Sequence, residues 1–169
     1  AYAGAIQVLE EKSLLQQLKQ LAGTSSGAIM ALLLNLGYSA AEIKQIVYQA
    51  DFKQFEDGWN PIKMLREYGL YKGIRLLKWI EGLIEKKTGN KHITYLDLYN
   101  KTGKVLKVYA TDLNTIRVQE FSYCTTPNVI VAESIRASIS IPLFFRAWRF
   151  SKGLPNKHIY VDGGVLYGY

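Results

Sequence analysis

Several absences narrow the chemistry of this 169-residue chain before any motif is read. A single cysteine, Cys124, rules out an internal disulfide, so stability has to come from a packed core. Only two histidines occur, His92 and His158, and no group of His, Cys, Asp and Glu stands at metal-ligand spacing. No metal site is expected. Neither a phosphate-cradling G-x-x-x-x-G-K-S/T loop nor a G-x-G-x-x-G turn is found, and no cofactor is expected. The longest apolar run, AIMALLL at 28–34, is far below the ~20 residues that span a bilayer. Repeats, heptads and low-complexity stretches are also missing.

What remains is an ordinary globular composition, 49% hydrophobic and 21% charged, at a length suited to one domain. The charge is lopsided, with 21 Lys and Arg against 14 Asp and Glu for a net +7. Nucleic acid, an anionic membrane surface and a basic surface kept for solubility would each fit. The basic residues are scattered, with no run longer than Lys86-Lys87, so no nucleic-acid partner is expected. The other two readings stay open, since each basic residue near anionic lipid is attracted by about 1 kcal/mol.

Hydrophobic periodicity predicts a helix over 2–12, then a short amphipathic piece leading into a strand that ends near Ala22. A buried helix follows over AIMALLLNLG. Ser39-Ala40-Ala41-Glu42 is a capping box that opens another helix, and Asn60-Pro61 reads as the start of a short one through Arg66. GIRLLKWIEGLIEKKTG places Ile74, Leu77, Ile80, Leu83 and Ile84 on one side of a helix ending at Gly89. That helix either packs on the core or, with Trp79 and its lysines, touches a membrane. The segment 39–89 is thus expected to be almost wholly helical, covering a site or packing on the sheet. Thr94-Tyr95-Leu96-Asp97 is a second capping box. KVLKVYATDL and IRVQEFSY alternate with period two and read as consecutive paired strands. VIVAESIRAS is helical up to the stop at Pro142, and HIYVDGG carries a last strand. The fold class expected is α/β, a three-layer α/β/α arrangement with a central mixed, mainly parallel sheet.

Two stretches carry chemistry. Gly23-Thr24-Ser25-Ser26-Gly27 matches G-x-S-x-G between the predicted strand and the predicted helix. On such a turn a serine presents its Oγ at a helix N-terminus, where the dipole favours developing negative charge. The plainer alternative is a glycine-flanked turn with an ordinary N-cap serine. Near the other end, Asp162 closes an apolar alternation directly before Gly163 and Gly164. Its carboxylate is free there to point at a neighbouring strand end.

Together, GTSSG followed by a helix, ESIRASISIPLFF at 133–145 and VDGG at 161–164 resemble the patatin-like phospholipases. The likeness runs from AYAGAIQVLEE to DGGVLY. It implies Ser25 as nucleophile and Asp162 as its proton acceptor, with no histidine, and Gly23, Gly27, Gly163 and Gly164 as motif glycines. It also implies that residues 1–169 form a single patatin-like catalytic domain. That domain is expected to lack the family's N-terminal glycine-rich oxyanion loop and its C-terminal end. Ser138, Ser140 and Pro142 match an A-S-x-S-x-P stretch expected to support the site, and Thr111-Asp112 a T-D-L segment expected to cap a turn. The activity implied is acyl hydrolysis of membrane phospholipids, of phospholipase A or lysophospholipase type, through an acyl-serine. A phospholipid or other lipid ester is the expected substrate, with peripheral contact to an anionic membrane. A soluble bacterial protein, cytoplasmic or secreted, fits this. A lipid-binding or scaffold protein without turnover, and an acyltransferase or thioesterase using the same dyad, stay open.

The residue order also allows a triad of Ser25, Asp112 and His158. His158 stands at the start of the strand that ends in Asp162, however, and is expected at the opposite sheet edge. His92, beside Lys91, is expected at the surface. The Ser–Asp dyad asks for a buried carboxylate, because an exposed one is a weak base for a hydroxyl.

Overall fold

A computed structural model of the chain describes residues 2–50, 52–57, 69–154 and 157–166. In chain order its elements are α1 (Tyr2–Glu11), β1 (Gln20–Thr24), α2 (Ser26–Asn35), α3 (Ala40–Gln49) and β2 (Gly69–Tyr71). There follow α4 (Ile74–Thr88), α5 (Tyr95–Thr102), β3 (Val105–Asp112), β4 (Arg117–Phe121), α6 (Val131–Ser138), β5 (Leu143–Phe145) and β6 (Tyr160–Asp162). The helix expected to begin at Asn60-Pro61 lies outside the described residues.

The local signals act as their chemistry requires. Ser39 Oγ accepts the Glu42 amide at 3.2 Å while Glu42 Oε2 accepts the Ser39 amide at 2.8 Å, a complete capping box. Thr94 takes the Asp97 amide in the same way, but the return bond runs from its hydroxyl to Asp97 Oδ2. A cap that the sequence does not announce opens α4. There the Asp57 carboxylate accepts the amides of Gly73, Ile74 and Arg75 at 2.5, 2.8 and 3.0 Å.

β3 is the strand on which the sheet is assembled. β1 runs parallel along its first part, from Gln20 opposite Val105 to Thr24 opposite Tyr109. β4 runs antiparallel, from Phe121 opposite Val108 to Arg117 opposite Asp112. β6, also antiparallel, takes the last part, with Asp162 opposite Ala110 and Tyr160 opposite Asp112. Since β4 occupies one flank of 108–112, β1 and β6 share the other. Their C-terminal ends therefore point at each other and meet at Tyr109 and Ala110. The sheet is mixed, as expected, with more antiparallel pairing than an alternation of helices and strands suggests. β2 and β5 pair in parallel as a separate ribbon, so the stretch 39–89 is not all helix.

One face of β3, carrying Leu106, Val108 and Ala110, is fully buried. α2 and α6 pack against the strand. α2 contributes Ala28, Ile29, Ala31, Leu32 and Leu33 to the core, and every residue of α6 is buried. The other face is half-buried and polar, with Lys107 and Tyr109 both donating to Glu120.

Candidate active site

Ser25 stands between the last residue of β1 and the first of α2, with φ 53° and ψ −127°. A non-glycine residue rarely adopts this backbone, which costs on the order of 1–3 kcal/mol unless its surroundings impose it. They do. A Cβ on Gly23 would lie 2.3 Å from the Gly27 carbonyl oxygen, so strand end and first helical turn touch, and only glycine permits it. The Ser25 amide donates to Ser138 Oγ at 2.9 Å, and that hydroxyl donates onward to the Tyr109 carbonyl at 2.6 Å. Ser138 thus pins the elbow to β3.

Asp162 is delivered by β6 from the opposite direction. Its amide donates to the Ser140 carbonyl at 2.9 Å, and its Oδ1 accepts the Gly164 amide at 2.7 Å. Asp162 is buried, at 7% exposure. A Cβ on Gly163 would fall 2.7 Å from the Tyr109 oxygen and 2.8 Å from Thr24 Cγ2. The Asp162–Gly163 turn therefore presses on the residue just before Ser25. Ser25 and Asp162 both line a cavity of about 550 Å³, with Gly23, Thr24, Gly27 and Gly164. They face it without a hydrogen bond to each other. Catalytic hydrogen bonds are often long without substrate and tighten in the substrate complex.

Ser25 also borders a second cavity of about 460 Å³, whose other walls are almost wholly apolar. Ile29 and Met30 of α2, Ile46 of α3, Leu76 of α4 and Ile139 line it, with Phe55 and Trp79 packed ring to ring at 5.4 Å. Nothing in the sequence marks these as one wall, because they come from three helices and two segments outside them.

The other expected residues are placed elsewhere. His158 Nδ1 donates to Asp112 Oδ2 at 2.7 Å, so the structure does pair these two. The pair sits where β6 begins, at the far end from Asp162, and makes no hydrogen bond to Ser25. Asp112 Oδ1 accepts the amides of Asn114 and Thr115, the turn cap expected of it. Burial pushes its carboxyl up, but the bonds from His158 and the turn outweigh this and hold it below the usual value. His92 is exposed and bonded to Glu81. Among the described residues no group of three His, Cys, Asp or Glu could hold a metal, and no helix is long and apolar enough to cross a membrane.

Arg136 is a supporting residue that the sequence reading passed over. Fully buried in α6, it donates to Ser140 Oγ at 2.6 Å and to the carbonyls of Gly73, Lys72 and Arg146. Burial pushes its guanidinium down to about 10, opposed by the charge of Asp57. The signal was available as a lone cation on the buried stripe between Ile135 and Ile139. Through Ser140, whose carbonyl holds the Asp162 amide, Arg136 ties Asp162 to the start of α4.

The family profile described as Patatin-like phospholipase matches residues 1–169. This chain belongs to the patatin-like phospholipase family. A relative from Bacillus subtilis, YqhO, is 35% identical over 98% of this chain and 59% of its own length. The probable lipid hydrolase 463L of Invertebrate iridescent virus 6 is 29% identical over 96% of this chain and 54% of its own. The chain thus spans little more than half of these family members. VipD from Legionella pneumophila shares the fold with a TM-score of 0.70, at 19% identity, over 98% of this chain and 43% of that one. ExoU of Pseudomonas aeruginosa superposes with a TM-score of 0.57 at 20% identity, over 82% of this chain and 36% of that one.

Proposed function

We propose that residues 1–169 act as one catalytic domain of a lipid acyl hydrolase, of phospholipase A or lysophospholipase type. Ser25 is its nucleophile and Asp162 its base. The observation carrying this reading is that Ser25 borders both cavities, the apolar one and the one that Asp162 lines. A lipid ester with its tail in the apolar cavity would bring its carbonyl to the elbow. Ser25 Oγ attacks that carbonyl as Asp162 takes the hydroxyl proton, and the first amides of α2 favour the charge that develops. The alcohol portion leaves with the proton returned by Asp162. Water, deprotonated by the same carboxylate, then releases the fatty acid from the acyl-serine. Phospholipid is the substrate class proposed, with peripheral contact to an anionic membrane.

The test is product analysis of the full-length protein on phospholipid vesicles and on a soluble nitrophenyl acetate. Free fatty acid and a Ser25→Ala variant with under a few per cent of activity are expected. Residual turnover well above that would remove Ser25 as nucleophile. An acyl group found on an acceptor would make the protein a transferase, and binding without product a lipid carrier.

A further inference from the structure

Four consecutive exposed residues, 141–144, stand out beside the apolar cavity. Ile141 and Phe144 line it while remaining 47% and 38% exposed, so they form its mouth. Between them Leu143 is 66% exposed and held at φ 70°, a left-handed backbone that a leucine adopts only under constraint. The constraint is visible. Leu143 is paired with Gly69 in the β2–β5 ribbon, the Tyr71 ring packs on Phe144 at 5.0 Å, and the Arg146 amide donates to the Tyr71 carbonyl. The ribbon thus fixes a loop that holds apolar side chains toward water. Across the mouth, Val47 lines the cavity and is exposed, and Tyr48 beside it is exposed too. Ile74, at the start of α4, adds another exposed apolar side chain.

Two lysines stand beside this rim. Lys72 directly follows β2, and Lys78 stands one turn beyond Ile74; both are exposed. The nearby carboxylates are hydrogen-bonded, Asp57 by the α4 amides and Glu56 by the Tyr71 hydroxyl, and the chain as a whole carries a net charge of +7. An exposed apolar lip flanked by lysines fits the interface of an anionic bilayer, with apolar groups among the acyl chains and ammonium groups at the phosphates.

We propose that Ile141, Leu143 and Phe144 form a membrane-docking lip that sets the cavity mouth against an anionic lipid surface. A tail would then pass into the cavity without crossing water. This rests on the lipid reading of the cavity given above, but vesicle binding tests it without requiring turnover.

The experiment is sedimentation of the full-length protein with phosphatidylcholine vesicles and with vesicles also carrying phosphatidylglycerol. Wild type is expected on both, at least fivefold more tightly on the anionic ones. Leu143→Asp combined with Phe144→Asp should lower the partition coefficient at least tenfold. Leu143→Gly guards against misfolding, since glycine suits φ 70°, and it should keep the melting temperature while still weakening partition. Variants that sediment like wild type would overturn the lip. A wild type that dimerises through this face, becomes monomeric in the double variant and never binds vesicles would also overturn it, making the occupant a second copy. Nitrophenyl acetate hydrolysis that depends on Ser25 without vesicle binding would sink the lip alone. Vesicle binding without such hydrolysis would sink the serine chemistry and leave the lip standing.

Discussion

Ser25 is held in a backbone conformation that its side chain does not favour, and the strain serves to keep Oγ out of the helix and facing both cavities. Ser25→Gly should remove the strain together with the hydroxyl proposed as nucleophile. We expect the variant to lose ester hydrolysis yet gain about 1 kcal/mol of stability, measured by urea unfolding. Ser25→Ala keeps the positive φ and should show no such gain. Asp162→Asn keeps size and can still accept the Gly164 amide, but it takes no proton. Turnover should fall at least ~100-fold with little change in melting temperature. A fall of only a few-fold would remove Asp162 from the base role.

At the scale of elements, the turn that ends α6 holds both halves of the site. Ser138 grips the Ser25 amide through its side chain, and two residues later the Ser140 carbonyl grips the Asp162 amide. Ser138→Ala leaves that buried amide without its acceptor and frees the elbow from the Tyr109 carbonyl. We expect kcat to drop about tenfold or more with KM little changed, and stability to fall by about 1–3 kcal/mol. Equal losses in kcat and stability-corrected activity for a control such as Ser122→Ala would mean that Ser138 is merely structural. GTSSG and VDGG were legible in the sequence because each is a local requirement on turn backbone, whereas the support given by Ser138 and Ser140 was expected from the family resemblance. The N-caps at Ser39 and Thr94 were legible for the same local reason, although only Ser39 completes its box. β2 and β5 were not, since three residues cannot display an alternation. Nor was the Asp57 cap, whose carboxylate reaches α4 from a turn sixteen residues upstream of Gly73. The apolar cavity was hidden because its walls are adjacent only in space. Asp112 and His158 were weighed as a possible triad pair, and they do bond, at the sheet edge where the place of His158 ahead of its strand put them in the sequence.

For the molecule as a whole, the Asp112–His158 bond fastens the start of β6 to the end of β3. Folding holds the Asp112 carboxyl below its unfolded value. Its contribution is therefore present above the unfolded value of about 4 and lost as pH falls through the folded one. Asp112→Asn should be destabilised most near neutral pH, with its stability converging on wild type as pH falls below the folded carboxyl's value. A gap independent of pH would show that charge plays no part. The arrangement of β1 and β6 has a further consequence. Two strands that share one flank of β3 and abut end to end cannot change length independently. One residue added to β1 would drive the elbow into the place of Asp162 and turn every following side chain of that strand to the wrong face. The turn at 113–116 lies clear of the seam and can lengthen at little entropic cost. The fold therefore works as a length gauge, open to insertion around its edges and closed to it along the line where β1 and β6 meet.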